Sequence, residues 1–239
     1  MAVSFSLRPM GLCTPPQGLL LSFLGTVALT STSPSAFAQA FPLSRTLTAL
    51  HHPQSATVAN AATPRYLDDI SNGMEALLRT IRFAEGTWRG GAEAGYQVIY
   101  GGRLISEVIP GSDPFSKHPD HVVRTQTALN SSAAGAYQFM PATWETVSGW
   151  LGIRDFSPLR QDQVAHRLIR LRLSDAEEAN VNRGILTREA LHQLAPEWAS
   201  LPTHSGGSYY GYGQSVKSWS HLKAFYDQQL ELLRIQTEV

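Results

Sequence analysis

The chain is nearly without cysteine, carries no net charge, and has no apolar stretch long enough to span a membrane. Its single cysteine, Cys13, excludes an internal disulfide framework and a cysteine-based zinc site. The 19 Lys and Arg residues are matched by 19 Asp and Glu. That balance leaves no basic excess for phosphate, so nucleic acid is not an expected partner. The apolar run Leu19–Thr30 covers twelve residues, whereas a membrane helix needs about 20, so a permanent anchor is not expected. The chain is not poor in apolar residues either. Of 239 residues, 43% are hydrophobic and 16% charged, an ordinary share for a globular protein and too high for a disordered one.

Positions 1–38 read as a secretory signal peptide. Arg8 precedes the apolar run, Ser31 to Ser35 is small and polar, and Ala36-Phe37-Ala38 supplies the small-x-small exit before Gln39. The expectation is an exported protein, periplasmic or extracellular, that loses Cys13 with the signal. Positions 39–65 are rich in Ala, Ser, Thr and Pro and read as a flexible linker in which His51 and His52 are solvated. A single folded domain is expected over 66–239.

That domain begins with a helix pattern. Met74, Leu77, Leu78, Ile81 and Ala84 recur at three- and four-residue steps behind candidate caps at Asp68 to Asn72, and Gly86 closes the run. Glu85 falls on the apolar stripe, at the end where the helix dipole disfavours a negative charge. Burial and dipole together raise its pKa above about 4.3. A carboxylic acid kept protonated near neutral pH is a proton donor for a glycosidic oxygen. The plainer alternative is a terminal Glu that turns outwards.

Further along, Gly95 to Ile105 holds two β-rich runs about Gly101-Gly102, a hairpin signal. Pro141 suits a first helical position, with Trp144, Val147 and Leu151 on a buried face up to Gly152. Ser157-Pro158 opens a helix to about Leu173 through Val164, Leu168 and Leu171. Thr187 caps another with Leu191 and Leu194 inward, and Ser218 caps a last one through Leu222, Phe225, Tyr226, Leu230 and Leu233. The class is α+β, mainly α, with a helical lobe and a small hairpin lobe flanking a cleft. The Gly/Tyr-rich stretch from Gly206 to Gln214 suits sugar contact, or equally tyrosines packed on the domain. His118 and His121 bracket Pro119, which breaks the helix such metal ligands usually occupy; no metal or cofactor is expected.

Seven segments occur in order: Phe83-Ala84-Glu85-Gly86-Thr87, Gly95-Tyr96-x-Val98-Ile99-x-Gly101-Gly102, His118-Pro119, Ala134-Gly135-x-Tyr137-Gln138, Leu151-Gly152-x-x-Asp155-Phe156-Ser157-Pro158, Trp198-Ala199-Ser200-Leu201-Pro202 and Gly211-Tyr212-Gly213-Gln214. Together they resemble the lambda-phage-type endolysins, lytic transglycosylases of lysozyme-like fold, over roughly Leu77 to Phe225. The run from Gly135 to Trp144 also resembles a segment of bacterial soluble lytic transglycosylases. The resemblance implies cleavage of the β-1,4 bond between N-acetylmuramic acid and N-acetylglucosamine in peptidoglycan glycan strands. It implies Glu85 as the single catalytic acid. Substrate contacts are implied at Tyr96, Gln97, Tyr137 and Gln138, and at Tyr210, Tyr212 and Gln214 in a loop over the glycan. The chain departs from the pattern at Gln97, where the phage family carries an aspartate. Hydrolytic glycosidases usually need two carboxyl groups, so a one-acid mechanism ending in a 1,6-anhydro sugar fits better. A hydrolytic muramidase, or a wall-binding module on the same scaffold, is the alternative.

Overall fold

Ser71 sets the start of the first helix, its hydroxyl accepting the backbone N–H of Met74. In this computed structural model, residues 70–124, 130–211 and 215–237 are described. The elements are α1 (Asn72–Ala84), two short 3-10 turns (Arg89–Gly91 and Glu93–Gln97), β1 (Val98–Ile99), β2 (Arg103–Leu104), α2 (Ile105–Val108), α3 (Pro141–Trp150), α4 (Pro158–Arg172), α5 (Asp175–Asn182), α6 (Arg188–Leu194) and α7 (Trp219–Thr237). The proposed signal peptide and linker, and Tyr66, Tyr212 and Gln214, lie outside the described residues. Among the described residues no helix is long and apolar enough to cross a membrane.

The apolar stripe of α1 lies at the centre. Met74, Leu77, Leu78 and Ile81 are buried and pack against α7, whose own stripe is Leu222, Tyr226, Leu230 and Leu233. Truncating such a side chain to alanine costs about 2–5 kcal/mol, because the cavity left behind relaxes only in part. α4 and α5 close the other side of α1. Ser174 starts α5 by accepting the N–H of Glu177. Only Val181 supplies that helix with a buried apolar side chain, which is why its period is hard to read.

The hairpin is smaller than its composition suggests. β1 and β2 pair antiparallel, Val98 with Leu104 and Ile99 with Arg103. Gly95 to Gln97 is a 3-10 turn instead of strand, its Gly95 N–H bonded to Ala92 O at 3.0 Å. Residues 133–139 complete the lobe by pairing along the other edge of β1. Tyr100 N–H donates to Ala133 O at 2.8 Å and Gly135 N–H to Val98 O at 2.7 Å. Ala134 and Phe139 exchange two backbone hydrogen bonds across this loop.

Gly135 has φ +82°, and a Cβ there would lie 2.4 Å from Gln161 Oε1 and 2.7 Å from Phe156 Cζ. It is needed for close packing within the protein, since no side chain would fit between these groups. Gln161 itself is fully buried and saturated. Its Oε1 accepts Ala136 N–H at 2.8 Å, and its Nε2 donates to Tyr96 O at 3.0 Å and Phe156 O at 2.8 Å. One side chain of α4 thus holds three stretches of irregular backbone whose polar groups would otherwise be buried without partners. Two expected core leucines are corrected: Leu151 is 41% and Leu171 47% exposed. Leu151 follows the last residue of α3, and Leu171 lies off the face of α4 formed by Val164, Ala165, Leu168 and Ile169.

Candidate active site

Glu85 caps the C-terminus of α1, its N–H bonded to Ile81 O at 2.9 Å. The chain then turns sharply through Gly86, at φ +76°. Thr87 N–H returns to Arg82 O at 2.9 Å, satisfying a terminal carbonyl of the helix. The buried Thr87 hydroxyl lies against Arg82 O at 3.1 Å and makes a short hydrogen bond to Ala136 O. The Glu85-Gly86-Thr87 motif is therefore a mechanical joint. It ends the helix, and it clamps that end to the loop that continues the hairpin lobe.

The Glu85 side chain is partly exposed and faces a cavity of about 310 Å³, shared with Tyr100, Ser131, Gln138, Trp198 and Tyr210. Ser200 Oγ donates to Glu85 Oε1 at 2.6 Å. Burial dominates the electrostatics and pushes the Glu85 pKa up to about 7, against the hydrogen bonds from Ser200, which favour the charged form. Ser200 is held in turn. Its carbonyl accepts Lys217 N–H at 3.2 Å, and Trp198 Nε1 donates to Tyr137 O at 3.2 Å, anchoring the Trp198–Pro202 segment on the core. A neutral carboxylic acid beside a hydroxyl, open to a cavity of sugar size, can donate a proton to an ether oxygen.

The other expected site residues separate into three groups. Gln138 and Tyr210 line the cavity with Glu85. Gln138 also shapes its floor, with Nε2 bonded to Gly135 O at 2.9 Å and Val98 O at 3.2 Å in a backbone at φ +48°. Tyr210 is 59% exposed and donates its hydroxyl to Pro196 O at 2.5 Å.

Tyr137 and Tyr96 do not line the cavity. Tyr137 is 1% exposed, with its ring in the core and its hydroxyl donated to Asp162 Oδ1 at 2.6 Å. Tyr96 turns the same way, its hydroxyl 3.0 Å from both Asp162 oxygens and 2.9 Å from Arg82 Nη1. The cause is Asp162, a buried carboxyl on α4 that needs donors; burial raises its pKa to about 7, and Tyr137's hydrogen bond opposes that shift. Gln97 is partly exposed at the end of its 3-10 turn and does not line the cavity.

His118 is likewise occupied inside the protein. Its Nδ1 accepts Asp120 N–H at 3.1 Å, leaving Nε2 to donate to Phe139 O at 2.8 Å. Burial lowers its pKa, in keeping with a neutral ring.

The sequence did not mark Ser200, Asp162, Gln161 or Glu197 as site residues. Glu197 also lines the cavity, but Arg172 grips its Oε2 through Nε at 3.2 Å and Nη2 at 2.8 Å.

Comparison with known proteins agrees with this architecture. The Endolysin family model matches residues 75–232. The endolysin of Escherichia phage lambda is 35% identical over 149 residues, 61% of this chain and 84% of that protein. The endolysin of Escherichia phage P2 is 35% identical over 115 residues, 45% of this chain and 62% of that protein. Bacteriophage lambda lysozyme complexed with a chitohexasaccharide superposes with a TM-score of 0.56 at 33% identity, covering 67% of this chain and 96% of that one. Lysozyme from bacteriophage lambda superposes with a TM-score of 0.51 at 30% identity, covering 68% and 94%. The chain belongs to the endolysin family, and it is a peptidoglycan-cleaving glycosidase of lysozyme-like fold.

Proposed function

We propose that this enzyme is a lytic transglycosylase with Glu85 as its one acid and base, cutting between N-acetylmuramic acid and N-acetylglucosamine. The observation that carries the reading is a Glu85 carboxyl raised to about 7 on the wall of the cavity, with Glu197, the second carboxylate there, engaged by Arg172. In the first half of the reaction Glu85 gives its proton to the bridging oxygen as the bond to C1 breaks. The carboxylate left behind, still hydrogen-bonded to Ser200, takes the proton of the muramyl C6 hydroxyl as that oxygen closes on C1. The product is a 1,6-anhydro sugar, and no water is consumed. A free second carboxylate, which a water-activating or covalent route usually requires, has no place in this scheme.

Mass analysis of muropeptides released from purified wall sacculi tests it. The expected ends are anhydro-muramic acid; ends carrying an added water would make the enzyme a hydrolytic muramidase instead. We further propose that residues 1–38 direct export, which N-terminal sequencing of protein recovered outside the cytoplasm checks. A mature chain beginning at Gln39 is expected, and a chain retained in the cytoplasm with Met1 in place would overturn it.

A further inference from the structure

A second depression adjoins the cavity that holds Glu85. It has a volume of about 420 Å³ and runs between α3 and α4. The two share a wall residue, Glu197. The groove starts where the cavity ends along the chain as well, since Met140 lines the cavity and α3 begins at Pro141.

Its lining differs in kind from that of the cavity. Leu171 offers alkyl surface at 47% exposure, Trp150 stands 64% exposed at its side, and Thr143 supplies a hydroxyl. The Arg172–Glu197 pair crosses its edge, with the arginine side chain 45% exposed. Trp150, at the end of α3 away from the cavity, and Leu171 on α4 are both exposed in this groove and together form an apolar contact surface. A short peptide carrying carboxylates and methyl groups suits this lining: a carboxylate meets the exposed part of the Arg172 guanidinium, which keeps its bond to Glu197, and the methyl groups meet Leu171 and Trp150.

We propose that this groove binds the peptide stem attached to the muramyl residue, so that the enzyme reads peptide and glycan together. The inference rests on the proposed function only in placing a muramyl sugar next to Glu85. The lactyl ether of that sugar then delivers the stem to the cavity edge, where Glu197 joins the two depressions.

The test compares wild type with Trp150→Ala and Leu171→Ala on two substrates, glycan strands carrying stems and the same strands stripped of peptide by an amidase. Trp150 and Leu171 are exposed, so the fold is expected to survive both changes. In each variant the ratio of kcat/KM on peptide-bearing strands to that on bare strands is expected to fall about five- to ten-fold, mostly through KM. An unchanged ratio would overturn the proposal. Equal losses on both substrates would also overturn it, by making the groove a sugar subsite. A binding measurement reads the groove without turnover: the indole N–H resonance of Trp150, assigned by its loss in Trp150→Ala, should shift on titration with a soluble muramyl peptide. An unmoved resonance contradicts the proposal. A wild type that cleaves neither substrate would overturn the proposed function, while the indole titration would still decide this inference.

Discussion

Ser200 Oγ donates a 2.6 Å hydrogen bond to Glu85 Oε1, joining residues 115 positions apart in the chain. The contact does two opposing things. It orients the carboxyl towards the cavity, and it stabilises the charged form of a group that burial drives to be neutral. The pKa of about 7 is the balance.

Removing the hydroxyl tilts that balance. In Ser200→Ala the Glu85 pKa should rise further, so the alkaline fall of kcat/KM on wall substrate should move to higher pH than in wild type. Loss of orientation should lower kcat about ten-fold at the optimum. A pH–rate profile with its limb unmoved, or moved to lower pH, would contradict this role for Ser200.

The same balance has a cost in stability. Folding raises the Glu85 pKa from about 4.3 to about 7, so the folded chain holds this proton more tightly than the unfolded one. The contribution is complete below the unfolded value and is lost as pH rises through about 7. Glutamine resembles the neutral acid, so Glu85→Gln should match wild type near pH 4 and exceed it at pH 8 by on the order of 2 kcal/mol, with wall cleavage abolished. Denaturant unfolding at the two pH values checks the sign; Asp162, raised in the same direction, is common to both proteins and cancels.

Tyr137 separates a structural from a binding role. Its hydroxyl serves Asp162, so Tyr137→Phe should destabilise the fold by about 1–3 kcal/mol, the loss of a buried hydrogen bond to a carboxyl. The KM for glycan should stay within about two-fold of wild type, since the ring lies in the core. A large rise in KM with stability unchanged would return Tyr137 to the cleft.

Gly135→Ala should be among the most damaging small changes. The new methyl would meet Gln161 Oε1 at 2.4 Å in a backbone at φ +82°, disturbing the side chain that holds three backbone groups. A loss of more than about 2 kcal/mol in urea unfolding is expected. An unchanged midpoint would mean the loop is looser than its hydrogen bonds imply.

What could be read from residue order was local. The period of α1, the glycine after Glu85, the proline starts of α3 and α4 and the caps Thr187 and Ser218 rest on contacts within a turn or two, and the structure has them. The direction of Tyr96 and Tyr137, away from the cavity, is not legible locally because their partner, Asp162, is distant in sequence. A signal for it existed: Gln161 and Asp162 stand on the stripe of α4 that continues through Val164, Ala165, Leu168 and Ile169. Polar side chains on an apolar face announce buried hydrogen bonds. Nothing local marks Ser200 as a partner of Glu85, since that pairing exists only after the Trp198–Pro202 segment docks on Tyr137.

The most direct test is to titrate the Glu85 carboxyl itself. Carbon-13 NMR of protein labelled at glutamate side-chain carboxyls, with the Glu85 signal identified by its absence in Glu85→Gln, should give a midpoint near 7. A midpoint at the ordinary value of about 4.3 would leave no proton on this group at neutral pH, and the account of catalysis would fail.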